Sequence, residues 1–285
     1  MADLALIVVA SVWGATFIMV KQAIENTPVF TFLFLRFTFA AIFLGLFNLA
    51  RGEKISVTAL KDGSVLGSAL FLVFAFQTFG LKTTPASTTA FITGLYVVMT
   101  PLLSAAVKRV IPELRVIIAV FIAFTGMALM TLQDRIYLTT GEFLVLICAF
   151  FCAVHILLTD PMSKRNTSFM LTMVQVSVVA LYSMIFCLIF NLPLVKIQFD
   201  KDLVTALVVT SILATVFAFW TQTWAQKFTS PNHTAIIFTV EPLAAALFSY
   251  LLGEKPLTPV QYLGGALIFS AMLLVVIPDR RKPVK

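Results

Sequence analysis

Residues 77–86 read "QTFGLKTTPA" and residues 222–232 read "QTWAQKFTSPN". Gln77, Thr78 and Lys82 match Gln222, Thr223 and Lys227 at one constant spacing, 77 to 222. Further on, "TPLLSAAVKRVIPE" (100–113) resembles "EPLAAALFSYLLGE" (241–254), pairing Pro101 with Pro242 and Glu113 with Glu254. The opening "DLALIVVASVWGATFIM" (3–19) lines up more weakly with "EFLVLICAFFCAVHILL" (142–158), which sets Thr16 opposite His155. The chain therefore reads as a duplication, with residues 1–138 as one unit and 139–285 as the other.

Composition says what each unit is made of. The chain is 60% hydrophobic and 12% charged over 285 residues, too little polar surface for a soluble domain of that length. A span needs about 20 apolar residues to cross roughly 30 Å of hydrocarbon. Ten segments qualify: Ala2 to Val20, Pro28 to Leu49, Gly63 to Leu81, Pro85 to Val107, Pro112 to Leu132, Thr140 to Thr159, Phe169 to Phe190, Leu203 to Ala225, Pro231 to Leu252 and Leu257 to Ile277. Pro28, Pro85, Pro112 and Pro231 fall where a first helical turn accepts a residue without an N–H. Apolar segments continue to the C-terminus, so no cleavable leader is expected. The expected fold is an all-α membrane protein of ten transmembrane helices, built from two five-helix repeats.

Five is odd, so the second repeat enters the membrane from the opposite side, and the two halves are related by a pseudo-two-fold axis in the membrane plane. Charge sets the direction. With the N-terminus inside, the inner loops and tail hold Arg51, Lys54, Lys61, Lys108, Arg109, Arg115, Lys164, Arg165, Lys227, Arg280, Arg281, Lys282 and Lys285. The outer side holds Lys21, Lys82, Arg135, Lys196, Lys201 and Lys255. This bias favours both termini in the cytoplasm and accounts for the net charge of +7 without a nucleic-acid partner. Cys148, Cys152 and Cys187 lie inside apolar stretches, an odd number with no ligand spacing. They predict neither a disulfide framework nor a metal site.

Glu241 is the first candidate for function. It lies ten residues after Pro231, about 15 Å along a helix and thus near the midplane. A charge there costs about 2.5–3.5 kcal/mol, which directs the carboxylate to the bundle interior or to water. Pro242 frees the carbonyl near Phe238 and loosens the helix beside it. Two readings stand: a proton-coupling or substrate-ammonium site, or a protonated Glu bonded to a neighbouring helix. His155, inside the sixth span, is the second proton-coupling candidate, since an imidazole exchanges protons near neutral pH; a satisfied interior histidine is the alternative. His233 reads as a helix-start residue.

Among 28 Phe, most are packing or lipid contacts. Trp13, Trp220, Trp224 and Tyr96 are more informative, because each buries a polar N–H or O–H that needs a partner. Thr93, Tyr96 and Thr100 share a helix face at spacings of three and four and predict a polar lining. Gln77 and Gln222 are repeat mates suited to gating or substrate contact, or to holding helices together. Arg36 reads as structural, reaching the outer interface or a carboxylate. Gly264 and Gly265 read as close-packing positions.

"SVWGATFIMVK" at Ser11 resembles the first-span signature of the EamA-type drug/metabolite transporters, in Trp13, Gly14 and Phe17. "FLRFTFAA" at Phe34 is similar to their second-span Arg-Phe-x-x-Ala element, in Arg36, Phe37 and Ala40. "GLKTTPASTTAFITGLYVVMTPLLSAAV" (80–107) and "EPLAAALFSYLLGEK" (241–255) resemble the proline-containing fourth and ninth spans, the latter ending in the Gly253-Glu254 pair. The resemblance covers nearly the whole chain. It implies a secondary exporter or facilitator of small metabolites, such as amino acids or amphipathic organic cations, working by alternating access in a bacterial inner membrane. It also implies a central cavity lined by spans 1, 3, 4, 6, 8 and 9, to which Phe17 is added as a substrate contact. The departure of Thr100-Pro101 to Glu241-Pro242 between repeats leaves the role of Glu241 to this chain alone.

The expected partners are a small-molecule substrate and membrane lipid, with protons as a candidate coupling ion. No cofactor is expected, and two repeats in one chain make a monomer a sufficient unit. A lipid-modifying intramembrane enzyme and a non-transporting scaffold or receptor are the competing classes. The first lacks a catalytic constellation in the sequence, and the second leaves the midplane ionisable residues without a purpose.

Overall fold

A computed structural model of the chain describes residues 1–131, 137–190, 192, 197 and 199–276. Outside them lie the cations Arg135, Lys196, Arg280, Arg281, Lys282 and Lys285 used for orientation, and the expected span ends Leu132 and Ile277. The described residues form helices and connections, with no β-strand among them. In chain order the helices are α1 (Ala2–Asn26), α2 (Val29–Arg51), α3 (Val57–Thr83), α4 (Ala86–Lys108), α5 (Leu114–Thr131), α6 (Thr140–Arg165), α7 (Ser168–Ile189), α8 (Lys201–Ala225), α9 (Pro231–Leu251) and α10 (Pro259–Val276). Among the described residues, nine are long and apolar enough to cross a membrane, and α10 contributes the shorter apolar stretch Pro259–Leu274.

Several helices outrun the expected spans. α1 continues to Asn26, α3 begins at Val57 and α6 continues to Arg165. Hydropathy marks only the part in hydrocarbon, whereas a helix runs on until a cap or a loop stops it. Caps open several of them. Ser56 Oγ accepts from Ala59 N at 3.0 Å, Asp200 Oδ1 from Leu203 N at 2.8 Å, and Thr139 with Glu142 forms a reciprocal box. The prolines differ in detail from expectation. Pro231 opens its helix, but Pro28 and Pro85 sit one residue earlier as extended caps, and Pro112 precedes Leu114. None of these positions asks proline for a hydrogen bond.

Two spans are interrupted midway. α4 breaks at Gly94 and Leu95, where Leu95 N donates to Ile92 O at 3.1 Å, and α9 breaks at Phe238 and Thr239, where Thr239 N donates to Ile236 O at 3.0 Å. Both breaks precede the paired prolines Pro101 and Pro242. α8 carries a π-helical stretch over Ile212–Phe217, a wide turn in which carbonyls lose their usual partners.

In a membrane, helices associate through close approach rather than through expulsion of water. Small residues mark the crossings. A Cβ on Gly126 would lie 2.6 Å from Gly264 O, joining α5 to α10, and one on Gly80 would lie 2.7 Å from Gly141 O, joining α3 to α6. Gly67 meets Val178 of α7, and Gly265 meets the Phe91 ring, as expected of close-packing glycines. α1 packs on α8 and α9 while α6 packs on α3 and α4; α2 packs on α7 and α8 while α7 packs on α2 and α3. Large apolar side chains such as Phe39, Phe43 and Leu46 on α2 are exposed, the outer surface of a bundle solvated by lipid.

At the end of the bundle reached by the C-terminus of α9, Glu254 covers the start of α4. Its carboxylate accepts from Ala86 N at 2.6 Å, Ser87 N at 3.1 Å and Ser87 Oγ at 2.9 Å. Gly253 makes the turn that aims it, with φ +95, and Lys21 Nζ donates to Thr84 O at 2.6 Å beside it. A carboxylate on exposed helix N–H groups is a charge-assisted cap. Glu254→Ala should lower stability by about 1–2 kcal/mol, measured as a fall in melting temperature in detergent; an unchanged melting temperature would show that the cap is dispensable.

Candidate functional site

A cavity of about 70 Å³ lies where α1, α3, α4, α6, α8 and α9 converge, with Arg36 of α2 also in its wall. A water needs roughly 10–15 Å³ of such space, so the cavity holds a handful of waters. Of the residues singled out from sequence, Trp13, Phe17, Gln77, Thr93, Tyr96, His155, Gln222 and Glu241 line it. Thr100 and Trp220 do not. Thr100 Oγ1 donates instead to Tyr96 O on its own helix at 2.7 Å, the back-bond by which a helical threonine satisfies its hydroxyl. Trp220 is 36% exposed and packs on Phe47 and Phe169 at the outer surface. Trp224 likewise faces outward, against Phe228.

Glu241 sits halfway along α9 and is buried. Tyr96 Oη donates to Glu241 Oε2 at 2.9 Å and lies 3.5 Å from Phe238 O. That carbonyl is the one Pro242 deprives of its i+4 donor, as the sequence predicts; Glu241 N at 3.0 Å takes up part of the deficit. Tyr96 and Glu241 are thus brought together by two interrupted helices whose breaks face each other. Gly14 of α1 presses on this same point, since its Cβ position is 2.5 Å from Glu241 O.

The π-helical stretch of α8 shapes the facing wall. It offers Ala214 O to Trp13 Nε1 at 2.9 Å and to Arg36 Nη2 at 3.4 Å, and Thr215 Oγ1 to Arg36 Nε at 3.0 Å. Arg36 pairs with no carboxylate among the described residues; it lies 4.4 Å over the Phe74 ring and 5.1 Å from that of Phe37. Trp13 stands between the two walls, its ring 5.2 Å from Phe219 and 5.1 Å from Phe238.

His155 Nε2 meets Gln175 Oε1 at 2.9 Å, and Gln222 Nε2 donates to Gln226 Oε1 at 3.1 Å. Thr93 Oγ1 and Gln222 Oε1 are buried without a hydrogen-bond partner among the described residues. Such atoms are costly unless water or a ligand meets them. His233 keeps to the start of α9, its Nε2 3.2 Å from Asp3. Cys148 and Cys152 share a helix face as expected, with sulfurs 3.8 Å apart; Cys152 reaches the cavity wall. Arg36, read from sequence as structural, is part of the lining, and Phe219 and Phe238 are among the lining residues that sequence reasoning passed over. Arg36 carried a usable signal, an ionisable side chain within a span; two Phe among 28 carried none.

The comparisons agree with this architecture. The model of the EamA-like transporter family matches residues 1–132 and again 139–277. Two proteins of Archaeoglobus fulgidus, each named an uncharacterized transporter, are similar over most of their length. One is 32% identical over 96% of this chain and 85% of its own, and the other 27% identical over 86% of this chain and 87% of its own. A solved crystal structure with 18% identity superposes with a TM-score of 0.71 over 96% of this chain and 95% of its own, a likeness of fold. With the family matched along nearly all of its length, this multi-pass integral membrane protein belongs to the EamA-like transporter family.

Proposed function

We propose that the protein is a secondary transporter that exports or equilibrates small metabolites, such as amino acids or amphipathic organic cations, by alternating access around the central cavity. The observation that carries this reading is Glu241: a buried carboxylate held by Tyr96 at the meeting of two broken helices, in a cavity walled by both halves of the chain. Discontinuous helices at a repeat interface are how transporters place polar groups at the midplane. Two inverted repeats, residues 1–138 and 139–285, give the alternation its physical basis. They are supported by packing that interchanges when α1–α5 are swapped with α6–α10 and by the twofold match to one family model.

Substrate is bound by Trp13, Phe17, Gln77, Thr93, Tyr96, His155, Gln222 and Glu241, with Glu241 and His155 as the proton-coupling groups. The protein acts as a monomer in lipid, in a bacterial inner membrane with both termini cytoplasmic, and carries out no enzymatic step; relatives named as transporters support that last point. The test is counterflow of a radiolabelled metabolite panel in proteoliposomes, with and without a pH gradient. At least one compound class should exchange, and the gradient should drive its accumulation. No compound-specific exchange across a broad panel would count decisively against transport.

A further inference from the structure

Arg36 is 3% exposed and faces the cavity. Its guanidinium has five N–H groups, and the described structure engages two, on Thr215 Oγ1 and Ala214 O. A buried cation is expensive unless an anion or a full set of acceptors meets it. Two phenyl faces and two neutral oxygens meet that need in part only. The remaining donors form a fork of the kind that grips a carboxylate or a similar oxyanion through two parallel bonds.

Its place relative to Glu241 narrows the ligand. Trp13 touches both sides: its Nε1 shares Ala214 O with Arg36, and its ring packs on Phe238, whose carbonyl lies beside the Tyr96 hydroxyl that holds Glu241. One aromatic side chain therefore separates a cationic wall from an acidic one within a single cavity. We propose that Arg36 is the receiving subsite for an anionic group of the substrate, and that the cargo is a small zwitterion lying along Trp13 with its anionic end on Arg36 and its ammonium end toward Glu241. This rests on the transporter reading above for the word cargo; the subsite itself does not depend on it.

Matched triplets test the assignment: leucine, 3-methylbutylamine and 4-methylpentanoate, then phenylalanine, 2-phenylethylamine and 3-phenylpropanoate. Binding is followed by Trp fluorescence on protein in nanodiscs and exchange by counterflow in proteoliposomes. The zwitterion of a triplet should bind about tenfold or more tightly than the amine that lacks its carboxylate, as expected where a site loses the partner of a buried charge. Arg36→Met should erase that preference while leaving amine binding within about twofold. If Arg36→Met does not fold, Arg36→Lys is compared instead, because it keeps the charge and loses the fork.

Equal affinity for zwitterion and amine overturns the subsite. So does an order of affinities unchanged in the variant with only its melting temperature lowered, which marks Arg36 as structural, and so does silence from every triplet. Selective binding lost in the variant, but with no counterflow of the bound compound, leaves the subsite standing and sinks the transport reading instead.

Discussion

Glu241→Gln is expected to collapse gradient-driven accumulation to the level seen without a gradient, while exchange at equal pH persists at a reduced rate because the substrate loses the carboxylate facing its ammonium end. The substitution is nearly isosteric, and its amide oxygen still accepts from Tyr96 Oη, so the 2.9 Å contact across the α4 and α9 breaks survives. What disappears is the ability to take up a proton on one side and release it on the other. For an exchange of one proton, a gradient of one pH unit supports about tenfold accumulation; without the carrier the ratio falls to about one. Passive exchange needs the cavity to open alternately, a property of helix packing, and loses only the carboxylate's part in holding the substrate. Flux in proteoliposomes under an imposed gradient, set against counterflow at equal pH, separates the two. Undiminished gradient-driven uptake would remove Glu241 from the coupling role. His155 is then the next group to replace, since it also faces the cavity, where its ring is hydrogen-bonded to Gln175 and packs edge-on against Phe219.

The parts of this molecule that sequence makes legible are those that a membrane imposes. A span must be apolar for its full depth and satisfy its own backbone, so the positions of α1 to α10 follow from hydropathy, and the helix ends slip where a helix runs on past the hydrocarbon, as at the start of α3 and the end of α1. Glu241 and Tyr96 stand out for the same reason: a carboxylate or a phenol in such a span needs a partner, and each is the partner of the other. The π-helical stretch at Ile212–Phe217 left no such trace, because "ILATVF" is an ordinary apolar run whose widened turn depends on what packs against it. The partners of Arg36 were hidden from sequence for a related reason. Its position in α2 suggested an outer interface or a carboxylate, yet its oxygen partners come from Ala214 and Thr215 far along the chain, and only the π stretch makes them available. Trp220 shows the reverse error, since an indole in a span reads as a buried donor whichever way the helix is turned.

Gly14→Val should damage folding and exchange together. The Cβ it introduces would stand 2.5 Å from Glu241 O, 2.7 Å from Ala244 Cβ and 2.8 Å from Ala245 N. Two of these are backbone atoms, so no rotamer change relieves the overlap, and α1 must move off α9 at the very residue that holds the candidate site. Overpacking of this kind costs about 1–3 kcal/mol when neighbours can yield; a branched side chain against a fixed backbone belongs at the upper end. Moving α1 also carries Trp13 away from Ala214 O and from the Phe238 ring, so exchange should be lost even in the fraction that folds. Gly45→Ala is the matched control: a Cβ there meets no atom within 4 Å, and Ala favours a helix over Gly by about 1 kcal/mol, so stability should hold or rise. Melting curves in detergent, read beside counterflow, test the pair. A Gly14→Val protein that melts and exchanges like the unsubstituted chain would mean that α1 and α9 do not cross this closely, and the Tyr96–Glu241 site would lose the packing that places it.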